Sequence, residues 1–137
     1  MRNIYRILDA NINRAMEGMR VVEEIARFML EDKKLTLELK NLRSSLKRAI
    51  SKIPRQNLLS ARSSLTDVGG KLYTKSEAKR TKTEELFYSN IKRCEEAVRV
   101  LEEFSKYLNP RLGRSFKPIR FKLYELERKI ANKLIMT

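Results

Sequence analysis

Apolar residues recur at intervals of three and four along most of the chain. Leu8, Ala15, Met19, Val22, Ala26 and Met29 fall on one side of a helix turning about 100° per residue. This predicts a first helix over residues 3–31, with Asp32-Lys33-Lys34 as the turn after it. Leu35, Leu39, Leu42, Leu46 and Ile50 predict a second helix ending before Pro54. The period lapses from Pro54 to Lys79, returns from about Thr81 to Leu108 and stops at Asn109-Pro110. It resumes as Ile119, Leu123, Leu126, Ile130 and Leu134, with Pro118 expected in the first turn of a fourth helix.

The pattern is duplicated. Residues 11–24 and 90–103 both read N-I-x-R-x-x-E-x-x-R-V-x-E-E, 79 positions apart, and each is followed by a base and an aromatic. The apolar positions of the fourth helix lie 84 positions after those of the second, from Leu35 to Ile119. The extra residues are therefore expected in a loop from Pro110 to Ser115. A repeat of this length marks a doubled supersecondary unit whose copies bury their apolar faces together. The predicted fold is all-α: four long antiparallel helices from a duplicated hairpin, with halves at about 3–53 and 82–134 related by a pseudo-two-fold axis. One domain is expected over 1–137, with an irregular 54–79 crossover loop.

The polar positions qualify this picture. Arg6, Asp9, Asn13, Glu17, Arg20, Glu24 and Arg27 form a stripe opposite the apolar side. Ion pairs at i,i+3 and i,i+4 on a solvated face account for that spacing. Asn11 and Arg14, however, interrupt an apolar sector with Ile7, Gly18, Val21 and Ile25, as Asn90 and Arg93 do among Leu86, Ala97, Val100 and Phe104. A guanidinium on a core-facing strip needs a glutamate of the neighbouring helix or an anionic ligand, because burying it unpaired is costly. Gly18 and Ala97 leave room beside the two arginines. In the crossover, Gly69-Gly70 permits positive φ and close backbone approach to a ligand; a plain turn explains it equally.

Composition narrows the chemistry. With no His and one Cys (Cys94) among 137 residues, no Ser-His-Asp site, His-ligated metal or internal disulfide framework can be built. No secretory leader pattern opens the chain and no apolar run is long enough to span a bilayer, so a cytoplasmic protein is expected. The formal charge is +14, from 31 Lys and Arg against 17 Asp and Glu. Such a charge suits nucleic acid, small polyanions or the Lys/Glu/Arg-rich surface of proteins from hot environments. The bases are scattered, without a dense run or interleaved exposed aromatics, which weakens the nucleic-acid reading. Arg, Asn, Asp and Glu suit phosphates and, through carboxylates, Mg²⁺. Phosphoryl transfer is the reaction class that can rest on positioning and charge neutralisation.

Arg6 to Val21, Arg27-Phe28, Ala61-Arg62, Asp67-Val68-Gly69, Asn90 to Arg93 and Glu96 to Glu103 together resemble the helical domain found fused to the N-terminus of some thiamine-phosphate synthases. That domain, which also occurs alone, is identified with a hydroxymethylpyrimidine phosphate kinase. The resemblance implies transfer of the γ-phosphoryl group of ATP, with Mg²⁺, to 4-amino-5-hydroxymethyl-2-methylpyrimidine phosphate. With no barrel domain before Thr137, any coupling to a synthase is expected to be with a separate protein. Arg14 and Arg93 are then expected as paired anion binders in a cleft between the halves. Asp67 is the Mg²⁺ candidate, and Arg62 grips a phosphate on the same loop. Asp9, Asn11, Asn13, Glu17, Arg20, Asn90, Glu96 and Arg99 are candidate substrate or supporting residues, with surface ion pairing the alternative. The rival readings are a non-catalytic helical module serving a synthase and a basic nucleic-acid binder; a homo-oligomer is left open.

Overall fold

The computed structural model describes residues 1–136, Ser76 by its backbone alone; Thr137, the last residue of the expected domain, lies outside them. Among the described residues there are helices and no strands. The long helices are α1 (Arg2–Glu24), α2 (Lys33–Ile50), α5 (Thr83–Phe104) and α6 (Pro110–Met136), and the short ones are α3 (Arg55–Ala61) and α4 (Lys75–Ala78).

The apolar period packs as expected. Leu8, Ala15, Met19, Val22 and Ala26 of the first helix are buried with Leu35, Leu39, Leu42 and Leu46 of α2. Ile119, Leu123, Leu126, Ile130 and Leu134 of α6 join Phe87, Ile91 and Leu101 of α5 in the same core. The α1–α5 pair lies at the centre, and glycine sets its approach. A Cβ at Gly18 would stand 2.9 Å from the Asn90 carbonyl oxygen, so the room expected beside Arg14 is filled by the backbone of α5.

Several expectations change at helix ends. Met29 is 57% exposed, because Ile25–Met29 forms a π-helical turn that rotates the last residues out of phase with the core. The left-handed φ of 50° at Glu31 then breaks the helix, and Asp32, expected in the turn, caps α2 by accepting the Leu35 amide at 2.9 Å. The fourth helix begins at Pro110, and Pro118 lies inside it rather than in its first turn. The expected 110–115 loop is therefore helical. Gly113 makes this feasible, since a Cβ there would meet the Glu102 carbonyl oxygen of α5 at 2.8 Å. The 54–79 crossover contains α3, whose Leu58 and Ala61 are buried, as well as α4 and a 3₁₀ turn at Ser64–Thr66. Helices this short carry too few turns to show a period. No glycine adopts positive φ. Gly69 and Gly70 instead donate their amides to Asp67, to Oδ1 at 2.8 Å and to the carbonyl at 3.0 Å.

Candidate active site

The N-terminal half of α1 presents Asn3, Arg6, Ile7, Ala10 and Asn13 at helical spacing along one wall of a cleft of about 800 Å³. Arg62, Ser63, Ser64 and Asp67, from the segment leaving α3, form the facing wall. Phe104, at the C-terminal end of α5, completes the lining with Asp9, Asn11 and Arg14.

The pair that holds this arrangement is Asp9–Arg62. Asp9 was expected on the solvated stripe, yet it is buried, and Arg62 donates to both of its oxygens, Nε to Oδ2 and Nη2 to Oδ1, each at 2.7 Å. A bidentate pair of this kind fixes orientation as well as distance. It pins the loop that carries Asp67 to the body of α1. The Asp9 hydrogen bonds raise the pKa of Arg62, so this cation does not titrate. The two N–H groups of Nη1 and the second of Nη2 are left for a ligand.

The remaining charges of the cleft are less committed. Arg6 is half-buried and has no carboxylate partner among the described residues. Among the described residues Arg14 has only a 3.5 Å contact to Asn11 Oδ1. Asn11 is itself occupied, donating to the Ile7 carbonyl at 2.8 Å. Asp67 is exposed; its Oδ1 takes the Gly69 amide, and its Oδ2 has no hydrogen bond among the described residues. With Asp9 and Arg62 neutralising each other, two arginines face one carboxylate, a balance that favours anions.

Arg14 and Arg93 do not lie on a core-facing strip: both are exposed. Their positions border the buried arc, and a long side chain at such a border extends its charged end into water. Arg93 does not line the cleft, so the structure does not bring the two arginines together there. Asn90 repeats the Asn11 bond, donating to the Leu86 carbonyl at 2.8 Å. Glu17 and Glu96 are exposed and outside the cleft. Arg20 and Arg99, also outside it, reach the buried Glu23 and Glu102 at 3.6 and 3.5 Å.

Those two glutamates carried no separate signal in the repeat, yet they anchor its halves. Arg43 of α2 approaches Glu23 at 3.1 Å, and Arg120 of α6 approaches Glu102 at 2.8 Å. At the second pair the hydrogen bond to Glu102 raises the pKa of Arg120, and the arginines outweigh burial to lower that of Glu102. Among the cleft residues, Asn3, Arg6, Ile7, Ala10, Ser63, Ser64 and Phe104 were not foreseen as site residues, Arg6 having been read only as part of the polar stripe. Phe104 could be read only as an apolar helix position, because its place in the cleft depends on where α5 ends against α1. Cys94 is buried, its thiol donating to the Ala15 carbonyl at 3.3 Å, and burial pushes its pKa up to about 12, which leaves it unreactive.

Among the described residues no group of three or more His, Cys, Asp or Glu is placed to hold a metal ion. No helix there is long and apolar enough to cross a membrane.

Comparison with known proteins decides the family. The profile of the ThiD2 family matches residues 6–129, and so spans both copies of the repeat and the crossover between them. The chain belongs to the ThiD2 family. It is 45% identical over 124 residues to a thiamine-phosphate synthase of Synechocystis sp., covering 90% of this chain and 35% of that protein. It is 41% identical over 124 residues to the thiamine-phosphate synthase of Nostoc punctiforme, with 90% and 34% covered. With that of Rhodopirellula baltica the identity is 39% over 134 residues, covering 95% and 36%. The ThiD2 chain thus spans about a third of the length of these curated relatives. No solved structure matches it.

Proposed function

We propose that this ThiD2 chain is an ATP-dependent kinase of thiamine biosynthesis that converts 4-amino-5-hydroxymethyl-2-methylpyrimidine phosphate to its diphosphate. The observation that carries this is the cleft in which Arg6 and Arg14 lack carboxylate partners while Asp67 stands opposite on a pinned loop. Likeness to thiamine-phosphate synthases supports the pathway, since the diphosphate is the pyrimidine substrate such a synthase consumes.

The reaction forms a bond from an acceptor phosphate oxygen to the γ-phosphorus of ATP and breaks the γ-phosphorus bond to the β-bridging oxygen, releasing ADP. A phosphate monoester has a second pKa near 6, so at neutral pH the attacking oxygen is already ionised and needs no histidine base. The difficulty is to hold two anions together, and Arg6 and Arg14 meet it by neutralising charge in place. Asp67 would hold Mg²⁺ through its carboxylate, a hard oxygen ligand of the kind that ion prefers. Bound there, the ion would neutralise charge on the transferring phosphates. The Asp9–Arg62 pair keeps the Asp67 loop at a fixed distance from the arginines of α1.

The test is incubation with Mg·ATP and the pyrimidine monophosphate, following ADP and the diphosphate. Turnover well above that of an Arg14→Ala control is expected; ADP at the control level overturns the reading. Ligand binding without turnover would point to a non-catalytic module that serves a synthase.

The same reading takes residues 3–53 and 82–134 as related by an approximate two-fold rotation. The equivalent Asn11 and Asn90 bonds and the equivalent buried Glu23 and Glu102 support it. An experimental structure in which the halves fail to superpose would overturn it.

A further inference from the structure

One part of the cleft wall is neither charged nor an amide. Phe104 ends α5, and the 3₁₀ turn that follows, Ser105–Tyr107, brings Tyr107 onto its ring with centroids 6.1 Å apart and planes 21° from parallel. The turn is anchored by the buried Ser105, whose carbonyl accepts the Leu108 amide at 3.0 Å. Phe104 is half-buried and packed against the core, whereas Tyr107 is 66% exposed. Held by the core and by Tyr107, the Phe104 ring is a preorganised apolar patch bordering a polar cleft.

Two amides line the same cleft with no hydrogen-bond partner among the described residues, Asn3 and Asn13, and both are exposed. They differ in this from the occupied Asn11. A free carboxamide offers two donors and an acceptor, the set complementary to the ring nitrogens and exocyclic amine of an aminopyrimidine. Arg6 and Arg14 supply cations for a phosphate on the same ligand.

We infer that the cleft holds a planar aminopyrimidine ring against Phe104, with Asn3 and Asn13 at the ring edge and Arg6 and Arg14 at its phosphate. This rests on the kinase reading and deepens it. Two ligands of that reaction carry such a ring, the acceptor pyrimidine and the adenine of ATP. Stacking distinguishes either from a sugar phosphate of like charge, because only the flat ring buries area against the phenyl face.

Calorimetric binding of the pyrimidine monophosphate, Mg·ATP and ribose 5-phosphate to the wild type, Phe104→Leu, Phe104→Trp and Asn13→Leu tests it. Phe104→Leu should weaken one ring-bearing ligand roughly tenfold and leave ribose 5-phosphate unchanged, with Trp restoring affinity. A loss for the monophosphate assigns the acceptor ring to Phe104, and a loss for Mg·ATP assigns the nucleobase. Asn13→Leu, at an exposed position of α1 where no core packing is at risk, should weaken the same ligand about fivefold. Unchanged affinities for both ring-bearing ligands in both variants overturn the inference, as does an equal loss for all three ligands. If the wild type forms no ADP yet Phe104→Leu selectively weakens a ring-bearing ligand, the kinase reading falls and the ring site stands. ADP formation with wild-type affinities in both variants gives the reverse.

Discussion

In the first copy of the repeat Arg6, Asp9 and Asn13 line an open cleft; 79 positions later Glu85, Tyr88 and Lys92 are already engaged. Glu85 accepts the amide and hydroxyl of Thr81 at 3.0 and 3.1 Å, which lowers its pKa. Tyr88 packs on Phe87 at 5.1 Å, and Lys92 bridges Glu95 and Glu127 at 3.3 and 3.1 Å. Two inward polar pairs, by contrast, are kept. Asn11 and Asn90 make the same bond, and Glu23 and Glu102 are both buried beside an arginine three residues earlier. Burial alone does not decide which positions are kept, since Asp9, Glu95 and Ser105 are also buried and have Tyr88, Met16 and Ala26 as counterparts. The first copy is the one that lines the cleft with uncommitted cations.

The largest expected effect would break that contrast outright. Arg14→Ala should lower kcat/KM about a thousandfold, as removal of a transition-state arginine does, while Arg93→Ala should stay within about threefold. Both arginines are exposed, so neither change should move Tm appreciably. Equal losses would restore a shared site between the halves. Next comes the scaffold that the copies share. Glu23→Ala and Glu102→Ala should each cost about 3 kcal/mol in chemical denaturation, because each empties a buried site and leaves Arg43 or Arg120, both largely covered, without its carboxylate. A large cost at only one of them would show that the equivalence ends at sequence.

Glu95 sharpens the comparison through pH. Its counterpart in the first copy is Met16, which does not titrate. Burial first, then Glu127, pushes the Glu95 carboxyl up to about 7 against the opposing pull of Lys92. A raised carboxyl pKa means that the folded state holds the proton more tightly than the unfolded chain. The added stability is present below the unfolded value near 4.5 and is lost as pH climbs to about 7. Glu95→Gln should therefore gain about 2 kcal/mol on the wild type at pH 8 and almost nothing near pH 4. Parallel Tm profiles for the two proteins would remove the linkage. The smallest effect belongs to Asp32, whose pKa is lowered first by the Leu35 amide. Asp32→Ala should cost about 1 kcal/mol by urea denaturation at neutral pH, and less in acid once the carboxylate is protonated. A cost unchanged between neutral and acid pH would mean that the carboxylate's charge is not what holds the cap.

The long helices and most of their buried faces were legible in the sequence because a helical period repeats over many turns, so that Leu39 or Ile130 declares its side without knowing its neighbours. The duplication and the anion-favouring charge were legible for the same reason, being properties of the string. What tertiary structure alone decided is which of the repeated polar residues face a cleft. Asp9 reads as a surface carboxylate until α3 delivers Arg62 from 53 positions away. Arg14 reads as core-facing until α5 takes the space beside Gly18 and leaves the guanidinium at the rim. Pro118 reads as a helix start until Gly113 lets α6 begin earlier against the backbone of α5. Asp9 and the start of α6 meet their partners across the fold, whereas Arg14 is left at the rim. In each case the cost of burial depends on what another element supplies rather than on the residue's own position in a helical period.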